Sequence, residues 1–134
     1  MNTITPFTLH QFAASMAAVH SVPVFLFLKQ GEIESGFNPT AVSPTGARGV
    51  YQWLPSSAAD PGYGIFPFNP DDTQANIQAA AQYDRAMFEK FGSWGRAMMA
   101  YNAGPGNIER GDYHLVSPPY YTLAHWADAQ GGLS

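Results

Sequence analysis

The sequence contains no cysteine, which excludes a disulfide framework, a thiolate nucleophile and a thiolate metal site, and leaves the compartment open. Charge is scarce: 12% of residues are Asp, Glu, Lys or Arg, and the net charge is −4. Binding to nucleic acid requires a clustered basic footprint, which 6 Lys and Arg against 10 Asp and Glu do not supply. The same balance removes long-range attraction to an anionic substrate, so binding has to be local. No apolar run reaches the ~18–20 residues of a membrane span. The N-terminal Met1-Asn-Thr-Ile-Thr-Pro-Phe7 lacks a basic segment followed by an apolar one, so no secretory signal peptide is expected. His10, His20, His114 and His125 show no i, i+4 pairing and read as surface or capping residues. No metal and no cofactor is expected. Repeats, low-complexity tracts and linkers are missing too. With 46% hydrophobic residues, the chain is expected to form one domain over 1–134.

What is present is organised around the stretch from Ser21 to Gly36. Ser21 is a fair N-cap, Pro23 suits a first helical turn, and Gly36 with Pro39 supplies a stop. Val24 to Leu28 is apolar on every side, which predicts a helix surrounded by protein. Glu34 falls in its last turn. The negative end of the helix dipole and an apolar body behind it both disfavour the carboxylate. A raised pKa and a proton retained near neutrality follow, the state a general acid needs. Glu32, two residues earlier, points elsewhere. Gly31, on the Glu34 face, costs about 1 kcal/mol against Ala in a helix, so close packing or a ligand needs its space.

Around this stretch the pattern is helical. Thr8–His20 is amphipathic, with Leu9, Phe12, Met16 and Val19 at helical spacing. Asn69-Pro-Asp-Asp predicts a helix start with Asn69 as N-cap, and Ile77, Ala80, Ala81, Asp84, Met87, Phe88 and Phe91 continue it to Gly92. Ser93 caps a helix over Trp94–Asn102, Asn107–Glu109 makes one further turn, and Tyr120–Gln130 forms the last helix. Between Phe37 and Asn69 lies a long Pro- and Gly-rich segment. In it Tyr51, Trp53, Tyr63, Phe66 and Phe68 alternate with Asn38, Ser43, Gln52 and Ser56. Rings beside short polar groups suit a groove for a sugar; the same rings also suit a core beneath a loop. Apart from a short ribbon around Ala47–Trp53, no strand is predicted. The expected class is all-α, or α with a very small β element.

Two segments resemble the signature blocks of the soluble lytic transglycosylases, whose catalytic domain is goose-lysozyme-like. One is Glu34-Ser-Gly-Phe-Asn-Pro-Thr-Ala-Val-Ser43-Pro-Thr-Gly-Ala-Arg-Gly49-Val-Tyr-Gln52-Trp-Leu-Pro55. The other is Ala100-Tyr-Asn-Ala-Gly-Pro-Gly106, and between them Asn76-Ile77 and Tyr83 echo the family's intervening helix. The resemblance spans 22 to about 108. It implies a lysozyme-like fold with a cleft, Glu34 as the single acid/base, and Ser43, Gln52, Leu54, Tyr101 and Asn102 lining the substrate. Tyr51 stands where the family has methionine and is expected in the groove wall. The family's C-terminal acid-Thr block with its tyrosine is not recognisable in Val116-Ser-Pro-Pro-Tyr-Tyr-Thr; Tyr121 is the nominated tyrosine, with Tyr120 the alternative.

Most glycosidases use two carboxyl groups, about 5–5.5 Å apart when retaining. The two blocks offer one. The resemblance therefore implies cleavage of the MurNAc–GlcNAc bond of peptidoglycan glycan strands with formation of a 1,6-anhydro ring, the nucleophile coming from the substrate. Hydrolysis of the same bond, as in goose-type lysozyme, is the first alternative, and a non-catalytic peptidoglycan-binding module the second. A wall-active protein without an export signal is expected to be carried out, released by lysis or excised from a longer protein; a bacteriophage source, virion-associated or acting at lysis and with virion components as partners, fits this.

Overall fold

A computed structural model of the chain describes residues 6–130. Its elements are α1 (Pro6–Val19), α2 (Val24–Ser35), α3 (Pro55–Ala59), α4 (Thr73–Phe91), α5 (Trp94–Ala103), α6 (Pro105–Glu109), a 3-10 turn (Tyr113–Leu115) and α7 (Pro118–Ala129). Among the described residues the only β pairing is two isolated bridges, Val42–Arg48 and Arg48–Trp53. The class is all-α, and the ribbon expected around Ala47–Trp53 is reduced to the second of these bridges.

The longer helices close a ring in space: α1 packs on α2, α2 on α7, α7 on α5, α5 on α4, and α4 back on α1. Alanines make the close approaches, including Ala13, Ala17, Ala80, Ala97 and Ala124, while Leu26, Phe27, Ile77, Met87, Met98 and Tyr120 fill the interior. On α1 the buried stripe is Leu9, Ala13 and Ala17, with Phe12 and Met16 at its edge. Val19, expected on that face, is 67% exposed. Counting only large apolar residues had rotated the predicted stripe away from the small ones.

Three further expectations are corrected. The entry to α2 is not capped by Ser21, which has a left-handed φ of 58°; Pro23 is the N-cap and makes no side-chain cap bond. Nor is α2 enclosed on all sides: Leu26 and Phe27 are buried, but Phe25 is 74% exposed. An all-apolar run of five residues covers more of the helix circumference than its neighbours α1 and α7 can cover. Finally, α4 starts at Thr73 with Asp72 as N-cap, its carboxylate accepting from the Ala75 N–H at 3.1 Å. Asn69 instead closes a turn by accepting from the Asp71 N–H, and Asp71 is held by Arg48 at 2.6 Å.

Stops are as read from sequence. Gly36 is the left-handed C-cap of α2 and Gly92 that of α4. Ser93 caps α5 through the Arg96 N–H at 3.1 Å.

Candidate active site

Glu34 is set by what surrounds the end of α2. The next residue, Ser35, donates its hydroxyl to the Val50 carbonyl at 2.8 Å and accepts from the Asn38 N–H at 3.0 Å. The helix end is thereby fastened to the loop that forms the opposite wall. Phe37 also has a positive φ of 58°, and its buried ring stacks on His10 at 4.0 Å and lies against the bare face of Gly31. A Cβ on Gly31 would stand 2.5 Å from that ring, so close packing, not a ligand, takes the space. Glu32 faces away and pairs with His10 at 3.3 Å.

A cleft of about 450 Å³ opens beside Glu34. Glu34, Ser43, Gln52, Leu54, Tyr101 and Asn102 all line it, so the structure brings together two sequence blocks that lie on α2, the following loop and α5. Thr45, Ala47, Trp53, Ser57, Asp60, Pro61 and Tyr83 complete the lining. The only charged residues among these are Glu34 and Asp60.

Ser43, Gln52, Tyr101 and Asn102 are each anchored on one side. Ser43 accepts from the Ala47 N–H at 3.0 Å and shares a hydrogen bond with the Thr45 hydroxyl. Gln52, at φ 56°, spends its amide N–H groups on the Gly49 and Ala41 carbonyls, leaving its oxygen for a ligand. Tyr101 donates to the Tyr51 carbonyl at 2.8 Å, and the Asn102 amide oxygen accepts from the Ser117 N–H at 2.7 Å. Beneath them Trp53, Tyr83 and Tyr101 meet edge to face. Asn76 holds this floor from below: it accepts from the Tyr51 N–H and donates to the Arg48 and Pro70 carbonyls. Gly49 must be bare because a Cβ there would lie 2.4 Å from the Asn76 amide nitrogen.

Two predicted residues stand elsewhere. Tyr51 is not in the groove wall; its side chain is fully buried, stacks on Phe27 at 4.4 Å and donates to the Phe27 carbonyl at 2.7 Å. A phenol reaches deeper into the core than its neighbour in sequence, Gln52, and finds a backbone acceptor there. Tyr121 is 47% exposed and lies against His125, away from the cleft. Its neighbour Tyr120 is the one that reaches Glu34, donating its hydroxyl to the carboxylate at 2.5 Å. The signal was in the sequence. Tyr120, Leu123, Ala124 and Ala127 form an i, i+3, i+4, i+7 stripe and all are buried, whereas Tyr121 falls off it.

Burial pushes the Glu34 carboxyl up from 4.5 to about 7, and the Tyr120 hydrogen bond opposes part of that rise. The acid therefore stands near half-protonation at neutral pH, able both to give a proton and to take one back. Burial also raises Tyr101 and Tyr120 well above the usual phenol range, and Tyr83 to about 12, so all three stay neutral donors. Among the described residues no group of His, Cys, Asp and Glu could hold a metal ion.

Comparisons with known proteins point to one family. The soluble lytic murein transglycosylase of Escherichia coli is 36% identical over 84 residues, both in strain K12 and in O157:H7. That match covers 56% of this chain and 13% of the relative, so the chain spans a small part of the curated relatives' length. The crystal structure of the 70 kDa soluble lytic transglycosylase of Escherichia coli superposes with a TM-score of 0.64 at 24% identity, over 92% of this chain and 22% of that one, which establishes a shared fold. The model of the transglycosylase SLT domain matches residues 11–113, and the chain belongs to that family.

Proposed function

We propose that the chain is a lytic transglycosylase that cleaves the MurNAc–GlcNAc bond of peptidoglycan glycan strands. The observation that carries this reading is Glu34: a carboxyl poised near pH 7, bonded to Tyr120, on the wall of a cleft also lined by Tyr101, Asn102, Ser43 and Gln52.

In the first half of the reaction, neutral Glu34 gives its proton to the bridging oxygen as the bond from that oxygen to C1 of MurNAc breaks. The GlcNAc side leaves as an alcohol. The muramyl 6-hydroxyl oxygen then bonds to C1, and its proton returns to the Glu34 carboxylate, so the enzyme ends as it began and no water is consumed. Tethering the nucleophile within the substrate removes the entropy cost of recruiting a separate one. Tyr120 stabilises the carboxylate formed midway by donating to it.

A second reading, hydrolysis, is favoured by one observation. Asp60 lines the same cleft, although neither signature block contains it, and a second carboxylate in the cleft could activate water. Mass spectrometry of fragments from a purified peptidoglycan digest separates the two. Anhydro ends, lighter by one water than reducing ends, are expected; reducing ends alone would assign the chain to the hydrolases. Binding without fragment release would leave a non-catalytic wall-binding module. Carriage on a virion or release at lysis belongs to this proposal as its route to the wall. Detection of the chain in purified particles tests the first of these.

A further inference from the structure

Behind the cleft wall lies an acid that the proposed reaction does not use. Asp84 on α4 and Gln30 on α2 are both fully buried, and the Gln30 amide nitrogen donates to Asp84 Oδ1 at 3.2 Å. Asp84 Oδ2 and the Gln30 side-chain oxygen, Oε1, are both buried with no partner. Two acceptors deprived of donors on two residues already in contact is a costly arrangement if the carboxyl is ionised. No lysine, arginine or histidine forms an ion pair with Asp84 among the described residues. The titratable groups acting on it are all acidic: Glu34 from α2, Tyr51 from the loop, Tyr83 from α4 itself, Tyr101 from α5 and Tyr120 from α7.

We propose that Asp84 is a protonated acid at neutral pH, doubly hydrogen-bonded to Gln30, and that this neutral pair is a positioning device that fixes α2 against α4 one turn below Glu34. One proton on Oδ2, donated to Gln30 Oε1, satisfies both orphaned oxygens and closes a cyclic acid–amide pair. Burial and the nearby Glu34 charge hold the Asp84 carboxyl well above the usual carboxylate range, and the Gln30 hydrogen bond opposes them. Neutrality has a consequence for Glu34. In the reaction proposed above, Glu34 must release a proton and regain it in each turnover, and a second negative charge close by would make it hold that proton too tightly. The linkage to catalysis rests on that reading; the protonation state of Asp84 does not.

The decisive variant is Asp84→Asn, whose amide reproduces both hydrogen bonds without a titrating proton. Infrared difference spectra of wild type against Asp84→Asn at neutral pH should show loss of the C=O band of a protonated, deuterium-sensitive carboxylic acid. Loss of carboxylate bands instead would overturn the proposal. The Glu34 carboxyl, followed by carbon NMR through a pH titration, should titrate at the same pH in both proteins. A downward shift in Asp84→Asn would mean that a charge had been removed, and would also overturn it. Neither measurement depends on activity. For the positioning role, Asp84→Leu should lower kcat on peptidoglycan ~10- to 100-fold with KM little changed, while Asp84→Asn restores it. Equal kcat in wild type and Asp84→Leu would remove Asp84 from that role. If Asp84→Leu does not fold, kcat of Asp84→Asn decides: retention supports the role and loss overturns it.

Discussion

Replacing Glu34 by glutamine should abolish turnover and, at alkaline pH, make the protein more stable. The folded chain holds the Glu34 proton up to about pH 7, while the unfolded chain releases it near the ordinary carboxyl value of 4.5. Because the folded-state pKa is the higher one, the native state binds more protons throughout that interval. Stability from this group is fully present below about pH 4.5 and is lost as pH rises through about 7. The rise from 4.5 to about 7 corresponds to about 3.4 kcal/mol. Glu34 keeps part of its surface in water, so the pH-dependent difference from Glu34→Gln should be nearer ~2–3 kcal/mol. With about 2.1 cal/mol/K of unfolding entropy per residue, that is a Tm gain of roughly 7–11 °C for a chain of 134 residues. The Tyr120 hydroxyl can still donate to the glutamine carbonyl, so the substitution leaves no new orphan. Denaturant unfolding of both proteins between about pH 4 and about pH 8.5 measures the difference; peptidoglycan digestion measures turnover. A stability gap that does not change with pH would mean that Glu34 titrates as an ordinary carboxyl. The reasoning about its environment would then be wrong, whatever the activity of the variant.

Tyr120→Phe removes the donor that opposes the rise in the Glu34 pKa, so the alkaline limb of kcat/KM should move up by about one pH unit while the maximal rate falls. Asn76→Ala strips the partners from the Tyr51 N–H and the Arg48 and Pro70 carbonyls and should cost roughly 3–5 kcal/mol by denaturant unfolding, with loss of activity as the cleft floor loosens. Gly31→Ala should destabilise by about 1–2 kcal/mol despite alanine's better helix propensity, because Phe37 is pinned between His10 and the helix and cannot yield. Tyr121→Ala should leave the digestion rate within about twofold of wild type, since its ring stands away from the cleft; a larger loss would return it to the site.

How much of this was legible depended on whether the information was local. Helix stops at Gly36 and Gly92 and the Ser93 cap are short-range backbone chemistry, and they were readable from single residues. The cleft residues were readable because two motif blocks carry them at fixed spacing. What escaped was decided by long-range packing. The sequence does not say that α1 and α7 leave Phe25 uncovered, or that the loop at Val50 turns Tyr51 inward. Asp84 lay on the predicted apolar stripe of α4 and is indeed buried, yet its charge gave no hint that an amide from α2 would meet it. Asp60 has no motif around it at all.

The closed ring of helices gives the acid a property that no single element has. Glu34 comes from the second helix and its tyrosine partner from the last, 86 residues later, with Tyr101 and Tyr83 supplied by the helices that bridge them. Without the docked final helix the glutamate would lose its Tyr120 partner and part of the burial that raises its pKa. In the reaction proposed above, the acid is therefore a product of the assembled ring rather than of the helix that carries it.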